Sequence, residues 1–349
     1  MGAHPATIGV SFPPDRTLIN MAEPSLDEFD SIKQVVQVLR DQIGQVIVGK
    51  AGAVELMVVA LFCEGHVLLE DVPGIGKTTL AKTLARSLGC SFRRIQFTPD
   101  VLPSDITGVN VFNQKTGEFE YRTGPIHAQI VLADEINRAG PRTQSALLEA
   151  MEERQVTVDG ETRALPYPFL VLATQNPVEL EGTFPLPEAQ LDRFLLRVAI
   201  GYPDREEERA ILHRFRTGNP LADLQPLLST DAIHAANQLC RQVFVHTAIE
   251  DYLLDLVRAS RSSPAIELGV SPRGTMALYR ASQALALVRG RSFVLPDDVK
   301  QLAIPVLTHR LILASDARLR GQSAVAAVGK LIEATPVPVE ERWSQSQQR

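Results

Sequence analysis

The stretch that most constrains the fold is LLEDVPGIGKTTLAKTL, residues 68–84. An apolar run ends at Leu69, a glycine-containing turn covers residues 71–76, and a helical pattern opens at Lys77. This order is typical of a phosphate-binding loop, because glycines let backbone N–H groups close around phosphates and the helix N-terminus adds partial positive charge. The segment therefore predicts that Lys77 neutralises phosphates and that the Thr78 hydroxyl ligates Mg²⁺.

One position departs from the usual spacing of such a loop. The pattern G-x-x-x-x-G-K-[ST] asks for glycine at position 71, where this chain has Asp71. A glycine-rich turn before an ordinary helix is the alternative interpretation. The nucleotide contacts predicted for the loop come from Asp71, Val72, Pro73, Gly74, Ile75, Gly76, Lys77, Thr78 and Thr79.

Bulk composition is typical of a soluble globular protein. The 349 residues are 45% hydrophobic and 22% charged, which allows two domains with sizeable cores. The net charge of −6 gives no global attraction to nucleic acid or anionic lipid. Three scattered cysteines indicate neither a zinc site nor a disulfide framework and fit a reducing cytoplasm. No apolar stretch approaches the roughly 18 residues of a membrane span, and the N-terminus lacks a secretory-signal pattern.

Apolar, strand-like runs alternate with helical patterns through the first half of the chain. Helices are predicted from a capping box at Ser25 to about Ile43 and over Ala51–Cys63, before the strand that leads into the loop. Further strands are predicted over Phe92–Phe97, Gln129–Ala133, Phe169–Ala173 and Phe194–Ile200. Continuous apolar strands separated by helices predict a doubly wound parallel α/β domain over residues 25–203. Residues 1–24 are proline-rich and aperiodic, and we predict that they are disordered.

Two inserts interrupt this rhythm. Residues 109–122 alternate polar and apolar side chains around a Lys-Thr-Gly turn, and residues 155–164 do so around Asp159-Gly160. Both patterns predict β-hairpins, the second with a strong turn dipeptide. Such hairpins are insertions that add no strand to the parallel sheet, and we expect partners to bind there.

After about residue 203 the pattern becomes helical. Helices are predicted over Asp204–Arg216, Thr230–Gln242, Ala248–Ser260, Ser271–Arg289, Pro296–Ala314 and Ser323–Ala334. No further strand-like run appears. The pattern predicts a smaller all-α domain over residues 204–340, with the boundary near 203–220.

Two acids, Asp134 and Glu135, follow the apolar strand that ends at Ala133. In a parallel sheet this places them beside the phosphate loop, where Asp134 would hold Mg²⁺ and Glu135 would polarise the attacking water. A helix N-cap is the alternative interpretation of such a pair.

Three further polar residues are candidates for roles at the same site. Asn176 follows the next buried strand and is predicted to orient water or contact the γ-phosphate; a turn Asn before proline is the alternative. Arg193 is predicted to reach a neighbouring subunit's nucleotide, the alternative being a surface ion pair with Asp192 or Glu188. Arg273, near the start of a helix, is predicted to close over the nucleotide, the alternative being an ordinary surface arginine.

Taken in order, these motifs resemble a known family. VIVGK (46–50), DVPGIGKT (71–78), VLADEINRA (131–139), ATQNP (173–177), LPEAQLDRF (186–194) and SPRG (271–274) are similar to the MoxR group of AAA+ ATPases, over nearly all of residues 40–310. The resemblance implies a P-loop AAA+ domain of the helix-2-insert group followed by a helical lid. It implies ATP and Mg²⁺ as the bound cofactors.

The resemblance also assigns roles to individual residues. Lys77 and Thr78 match Walker A, and Asp134 and Glu135 match Walker B. Asn176 matches sensor 1, Arg273 sensor 2 and Arg193 the arginine finger, with Arg138 and Arg142 as interface arginines. Val48 and Gly49 match the segment that lines adenine. Hairpin 109–122 belongs to the helix-2 insert, and hairpin 155–164 is the pre-sensor-1 hairpin.

For function, the resemblance implies an ATP hydrolase working as a chaperone-like remodelling or maturation factor in a ring, expected to be a homo-hexamer. Its expected partners are a von Willebrand factor A-domain protein and a protein client. Alternatives are a magnesium-chelatase-like ATPase subunit, a nucleic-acid motor and a nucleotide-gated scaffold. Nucleic acid is not an expected partner, because hairpin 155–164 sets Asp159 and Glu161 against Arg163 alone. GTP is not the expected nucleotide, because the chain has no N-K-x-D motif.

Overall fold

The computed structural model describes residues 26–72, 74–176, 182–216 and 218–338. The strands in chain order are β1 (Val67–Glu70), β2 (Phe92–Gln96), β3 (Gly108–Asn113), β4 (Glu118–Thr123), β5 (Ile130–Asp134), β6 (Gln155–Val158), β7 (Glu161–Ala164), β8 (Leu170–Gln175), β9 (Leu196–Val198), β10 (Ile266–Leu268) and β11 (Ile312–Leu313).

The helices surround and follow the strands. In chain order they are α1 (Leu26–Gly44), α2 (Ala51–Phe62), α3 (Lys77–Ser87), α4 (Pro103–Thr107), α5 (Pro141–Glu153), α6 (Glu188–Leu191), α7 (Arg205–Phe215), α8 (Thr230–Cys240), α9 (Thr247–Ser262), α10 (Pro272–Val288), α11 (Pro296–Leu307), α12 (Ser315–Leu319) and α13 (Ala324–Ala334). Short 3₁₀ turns occur at Ile136–Arg138, Pro220–Asp223 and Thr308–Arg310.

A five-stranded parallel sheet with strand order β2-β5-β8-β1-β9 forms the centre of the first part of the chain. Successive side chains of a strand point to opposite faces of the sheet, and both faces are covered. In β5, Ile130 and Leu132 enter a core built with α1, α2 and α3. Val131 and Ala133 enter a second core, which includes Leu147 and other residues of α5. The predicted doubly wound α/β sheet is confirmed.

The predicted strands occur where the apolar runs placed them, with one difference in extent. Residues 194–200 were predicted as a strand, but β9 covers Leu196–Val198 only. Before it, Phe194 N–H donates to the Leu191 carbonyl in the turn that closes α6. After it, the chain leaves the edge of the sheet towards α7.

Both predicted hairpins are confirmed. β3 pairs with β4 and β6 pairs with β7, each antiparallel. At the tip of the second hairpin, Asp159 has φ 50° and Gly160 has φ 84°. Positive φ at both central residues is the geometry of the tight turn that Asp-Gly favours.

The predicted helices after β9 are present, and the short helix α12 is an addition that was not predicted. A short antiparallel pair, β10 with β11, was not predicted. The helix predicted over 296–314 also ends earlier, at Leu307, and a 3₁₀ turn and β11 follow. The turn carries Arg310 inward, where its side chain is 2% exposed beside Asp192. The ion pair is formed from this 3₁₀ turn, beyond the end of α11.

The helical region and the α1–α2 layer share one continuous apolar core, which includes Leu285 of α10 and Met57 of α2. Two predictions, disorder of residues 1–24 and the cap at Ser25, lie outside the described residues. Within the described ranges, no helix is both long enough and apolar enough to cross a membrane.

Candidate functional site

The phosphate loop lies between β1 and α3, with its glycines in left-handed conformations. Gly74 has φ 86° and Gly76 has φ 91°, and Gly76 is the N-cap of α3. A Cβ built on either glycine meets nothing within 4 Å, so the backbone conformation, not lack of space, calls for glycine here. The turn leads directly into the N-terminus of α3, which is the arrangement that binds anions. Pro73 lies outside the described residues.

Lys77, the first residue of α3, lies close to the two acids at the carboxyl end of β5. Its Nζ donates a hydrogen bond to the Asp71 carbonyl at 2.7 Å, which closes the loop. Burial lowers the pKa of Lys77, while the charges of Asp134, Asp71 and Glu135 act in the opposite direction. The predicted phosphate-loop lysine and the predicted acids therefore come together in the fold.

Asp71 stands where the usual pattern has glycine, and its side chain is fully used. One carboxylate oxygen, Oδ2, accepts hydrogen bonds from the backbone N–H groups of Ile200 and Gly201, both at 2.6 Å. The other, Oδ1, accepts from Val72 N–H at 3.0 Å. The carboxylate thus ties the start of the phosphate loop to the segment that follows β9.

Asp134 is buried and held from two sides. Its Oδ1 accepts a hydrogen bond from the Thr174 hydroxyl at 2.6 Å. Its Oδ2 accepts from Arg94 Nε at 3.0 Å and Arg94 Nη2 at 2.6 Å. The carboxylate is therefore fixed in orientation and ionically balanced by a β2 arginine.

Glu135 has an uncommon backbone conformation, with φ 59° and ψ 49°. Its N–H donates to the Thr174 hydroxyl at 2.8 Å, so this one hydroxyl orients both acids. Its Oε2 accepts from Gln96 Nε2 at 2.9 Å and pairs with Arg138 Nε at 3.1 Å. Non-glycine residues in the left-handed region of φ and ψ are uncommon and occur often at active sites.

Arg94, Gln96 and Thr174 were not among the residues selected from the sequence. Thr174 carries a detectable signal, since a polar side chain on a fully buried strand requires a hydrogen-bond partner. Arg94 and Gln96 alternate on the edge strand β2 like any exposed strand residues. Their contacts with the acids arise only because β2 pairs with β5.

Asn176 follows β8 at the same edge of the sheet as Glu135. β5 and β8 run parallel, with Ala133 opposite Ala173, so their carboxyl ends meet there. Asn176 is 9% exposed. The structure therefore brings Asn176 to the edge that carries the phosphate loop and the acids, as predicted from strand order.

Gly49, which follows Val48, lies against the start of α7. Gly49 has φ 73°, and a Cβ built there would overlap the carboxyl group of Glu207. Next to it, Lys50 Nζ donates to the Tyr202 carbonyl at 3.1 Å and pairs with Glu207 at 3.3 Å. This segment therefore contacts the same connection, after β9, that Asp71 holds.

Arg193 and Arg273 lie together, away from the phosphate loop. Arg193 Nε pairs with Glu152 Oε2 at 3.0 Å, and Arg273 Nη1 pairs with Glu152 Oε1 at 3.2 Å. The ion pair of Arg193 with Asp192 or Glu188, considered as the alternative from sequence, is wrong. Asp192 instead pairs with Arg310 at 2.7 Å.

The position of Glu152 locates both arginines within the fold. Arg193 precedes β9, so it lies at the amino edge of the parallel sheet, opposite the edge that carries Lys77. Glu152 is near the C-terminus of α5, which starts close to the acids and runs away from them. The ion pairs therefore place Arg273 with Arg193 at the far edge and do not bring it to the phosphate loop of its own chain. Of the two interface candidates, Arg138 lies beside Glu135, and Arg142 is exposed in the first turn of α5.

The described residues fit ATP and Mg²⁺. A loop with positive-φ glycines at a helix N-terminus suits a triphosphate. The Thr78 hydroxyl and the Asp134 carboxylate supply hard oxygen ligands, the kind that Mg²⁺ prefers. In the described ranges, no group of three or more His, Cys, Asp or Glu residues is placed to hold a metal ion. Such a cluster is not required, since Mg²⁺ at these sites is bound by few protein ligands together with phosphates.

Comparison with known proteins agrees with this geometry. Residues 66–196 match the ATPase family associated with various cellular activities (AAA), and residues 258–331 match the AAA lid domain. The chain is 51% identical to YeaC of Bacillus subtilis (strain 168), over 86% of this chain and 94% of that protein. It is 44% identical to the chaperone MoxR1 of Mycobacterium tuberculosis, over 85% of this chain and 81% of that protein. A crystal structure of a candidate ATPase from Cytophaga hutchinsonii superposes with a TM-score of 0.84 at 37% identity, covering 90% of this chain and 98% of that one.

Proposed function

Because this chain belongs to the MoxR group of AAA ATPases, we propose that it hydrolyses ATP in a ring and uses the energy to remodel protein clients. The observation that carries the proposal is the cluster of Lys77, Asp134 and Glu135, whose charges act on one another beside a glycine loop at a helix N-terminus. The chaperone MoxR1, similar over most of the chain, supports the choice of protein clients.

The proposed chemistry assigns one task to each group. The backbone of the phosphate loop and Lys77 bind the β- and γ-phosphates. Glu135 accepts a proton from water while the water oxygen attacks the γ-phosphorus and the bond from that phosphorus to the bridging β–γ oxygen breaks. Asn176 helps to orient this water. Thr78 and Asp134 would hold Mg²⁺, which supplies neutralisation of phosphate charge. Thr174 keeps both acids in place through its two hydrogen bonds.

Arg193 and Arg273 require a second subunit in this proposal. Their shared partner Glu152 lies near the amino edge of the sheet, which supports assigning both arginines, including Arg273, to a neighbour's nucleotide in place of their own. We propose that both reach the γ-phosphate of a neighbour in a homo-hexamer, where guanidinium charge stabilises the transition state. Val48 and Gly49 would line the adenine, and Arg138 and Arg142 would lie at the subunit interface.

Client contact is proposed for the exposed hairpin formed by β3 and β4. Phe112 is 51% exposed and Phe119 is 72% exposed, and their rings form an edge-to-face pair at 5.3 Å. Two exposed aromatic rings at a hairpin tip suit binding to apolar segments of another protein. Arg163 of the second hairpin is already engaged, since it pairs with Glu161 and lies over the ring of Tyr121. That engagement disfavours the nucleic-acid motor.

A von Willebrand factor A-domain protein as partner, and a cytoplasmic location, complete the proposal. Co-purification in the presence of ATP tests the partner. A preparation that recovers no such protein, while the same chain binds nucleotide, would remove this part and leave the ATPase proposal standing.

Substitutions at the phosphate loop and the acids test hydrolysis. Lys77→Ala should abolish ATP binding, and Glu135→Gln should bind ATP and retain it uncleaved. Glu153→Gln, an exposed carboxylate on α5, is the matched control and should hydrolyse ATP like the wild type. Wild-type turnover in Glu135→Gln would exclude the proposed role of Glu135.

Sharing of the site between subunits has its own test. Arg193→Ala should bind ATP and fail to hydrolyse it, and mixing it with Lys77→Ala should restore part of the activity. Restoration is expected because some interfaces then combine an intact phosphate loop with an intact arginine. A series of mixtures that never recovers activity would contradict the shared site.

A further inference from the structure

One carboxylate receives both arginines that the proposed function assigns to a neighbour's nucleotide. Glu152 Oε2 binds Arg193 at 3.0 Å, and Oε1 binds Arg273 at 3.2 Å. Each oxygen takes one guanidinium, so the two side chains are held side by side. Arg193 comes from the turn before β9 and Arg273 from the first turn of α10, segments that are far apart in the chain.

The backbone behind the two arginines is tied together as well. Asp192, next to Arg193, accepts hydrogen bonds from Arg310 Nε at 2.7 Å and from the Ser271 hydroxyl at 2.9 Å. Ser271 caps α10 by accepting from Gly274 N–H at 3.2 Å, and Arg273 lies inside that capped turn. The backbone positions of both arginines are thus fixed by Asp192, which leaves their guanidinium groups to be arranged by Glu152.

Several positive charges meet in this region of the fold. Burial lowers the pKa of Arg310 to about 10, and the nearby positive charge of Arg273 contributes to that lowering. Arg193 and Arg273 in turn contact one carboxylate, so their like charges also repel each other. Asp192 compensates Arg310. Glu152 is the carboxylate that pairs with the other two.

We propose that Glu152 is a positioning residue, which presents Arg193 and Arg273 of one subunit as a pair to the triphosphate bound by the next. This inference rests on the proposed function. Glu152 is near the end of α5, a helix of 13 residues that begins shortly after Glu135. At 1.5 Å per residue the helix is about 20 Å long. It joins the acids of one nucleotide site to the arginines offered to another.

Glu152→Gln tests the inference, because it removes the charge and keeps the shape. We expect kcat for ATP to fall roughly 10- to 100-fold, the range for a small misplacement of catalytic groups. The affinity for ATP should stay at the wild-type value, since Lys77 and its loop are untouched. Glu153→Gln should leave kcat unchanged. Glu152→Asp, which keeps the charge on a shorter side chain, should recover part of the loss.

Mixtures with Lys77→Ala separate positioning from a general structural defect. Lys77→Ala subunits keep Glu152 and both arginines, so they should complement Glu152→Gln subunits, whose own phosphate loop is intact. Wild-type kcat in Glu152→Gln would overturn the inference. So would a loss that Lys77→Ala cannot complement, provided that Lys77→Ala does complement Arg193→Ala. If Arg193→Ala is not complemented either, the shared site itself fails, and the positioning role fails with it.

Discussion

Replacing Asp71 by glycine restores the usual phosphate-loop pattern and removes a tie that the structure gives to this chain. The tie consists of the two 2.6 Å hydrogen bonds from Ile200 and Gly201 to Oδ2. We therefore expect Asp71→Gly to affect the segment after β9 much more than it affects nucleotide binding. The same reasoning makes Asp71→Asn informative, since its side chain has one acceptor oxygen in place of two.

The size of the effect follows from the number and type of bonds lost. Hydrogen bonds to a charged acceptor contribute about 1.5–3 kcal/mol each when buried. Because Asp71 is only half-buried, we take the low end of that range, about 3 kcal/mol for the two bonds together. For Asp71→Asn we expect about half of this, because the amide oxygen can accept both hydrogen bonds from Ile200 and Gly201, but as a neutral acceptor it contributes less to each.

Native-state hydrogen exchange measures this effect locally. The amides of Ile200 and Gly201 should exchange about 100-fold faster in Asp71→Gly, since 1.4 kcal/mol corresponds to a factor of ten in the opening equilibrium. Affinity for a fluorescent ATP analogue should change only a few-fold. Asp255→Asn, an exposed carboxylate on α9, is the control and should leave both measurements unchanged.

Two results would refute this reasoning. Unchanged exchange at Ile200 and Gly201 in Asp71→Gly would show that the carboxylate does not hold the segment. Loss of nucleotide binding in Asp71→Gly would show that Asp71 belongs to the phosphate site itself. Both measurements can be made without knowing the client protein.

Three further predictions concern single residues outside the phosphate loop. Burial lowers the pKa of His66 to about 4, so the unfolded chain takes up a proton at this histidine first as pH falls. The contribution of His66 to the free energy of unfolding should be complete above about pH 6.5 and fall by about 3 kcal/mol towards pH 4. Urea unfolding at several pH values should show a smaller pH dependence for His66→Gln. Gly49→Ala should lower the free energy of unfolding by about 1–3 kcal/mol and weaken ATP binding, because the residue has a positive φ and its Cβ would overlap the carboxyl group of Glu207. Gly52→Ala on helix α2 is the control and should be neutral or stabilising in the same unfolding and binding assays. Arg310→Met should lower the free energy of unfolding by about 3–5 kcal/mol, since it leaves Asp192 without its buried partner; a loss below 1 kcal/mol would contradict the structure.

The sequence predicted those features of the fold that depend on local pattern. Strands β5 and β8 can be recognised in the sequence as continuous apolar runs because both of their faces are buried. The hairpin at Asp159-Gly160 follows from a turn dipeptide that tolerates positive φ. The sequence missed β10 and β11 because strands of two or three residues have no period to detect.

The candidate site was predictable to a similar depth. Lys77, Asp134, Glu135 and Asn176 follow strands, and parallel strands deliver such residues to one edge. Arg94 and Gln96 were missed because their role depends on β2 lying beside β5, which no local pattern records. For Arg273, the sequence indicated a position near a helix start but not the carboxylate that receives it.

By itself, the sequence determined the loop, the acids, the order of strands and helices, and the family. The tertiary structure decided which distant groups share a carboxylate. Asp71 reaches the backbone of Ile200 and Gly201, and Glu152 gathers Arg193 and Arg273. The physical reason is that periodicity reports which face of an element is buried, whereas a hydrogen bond or ion pair depends on where two separate elements meet. Those meeting points are fixed only when the sheet and the helical region pack into one core.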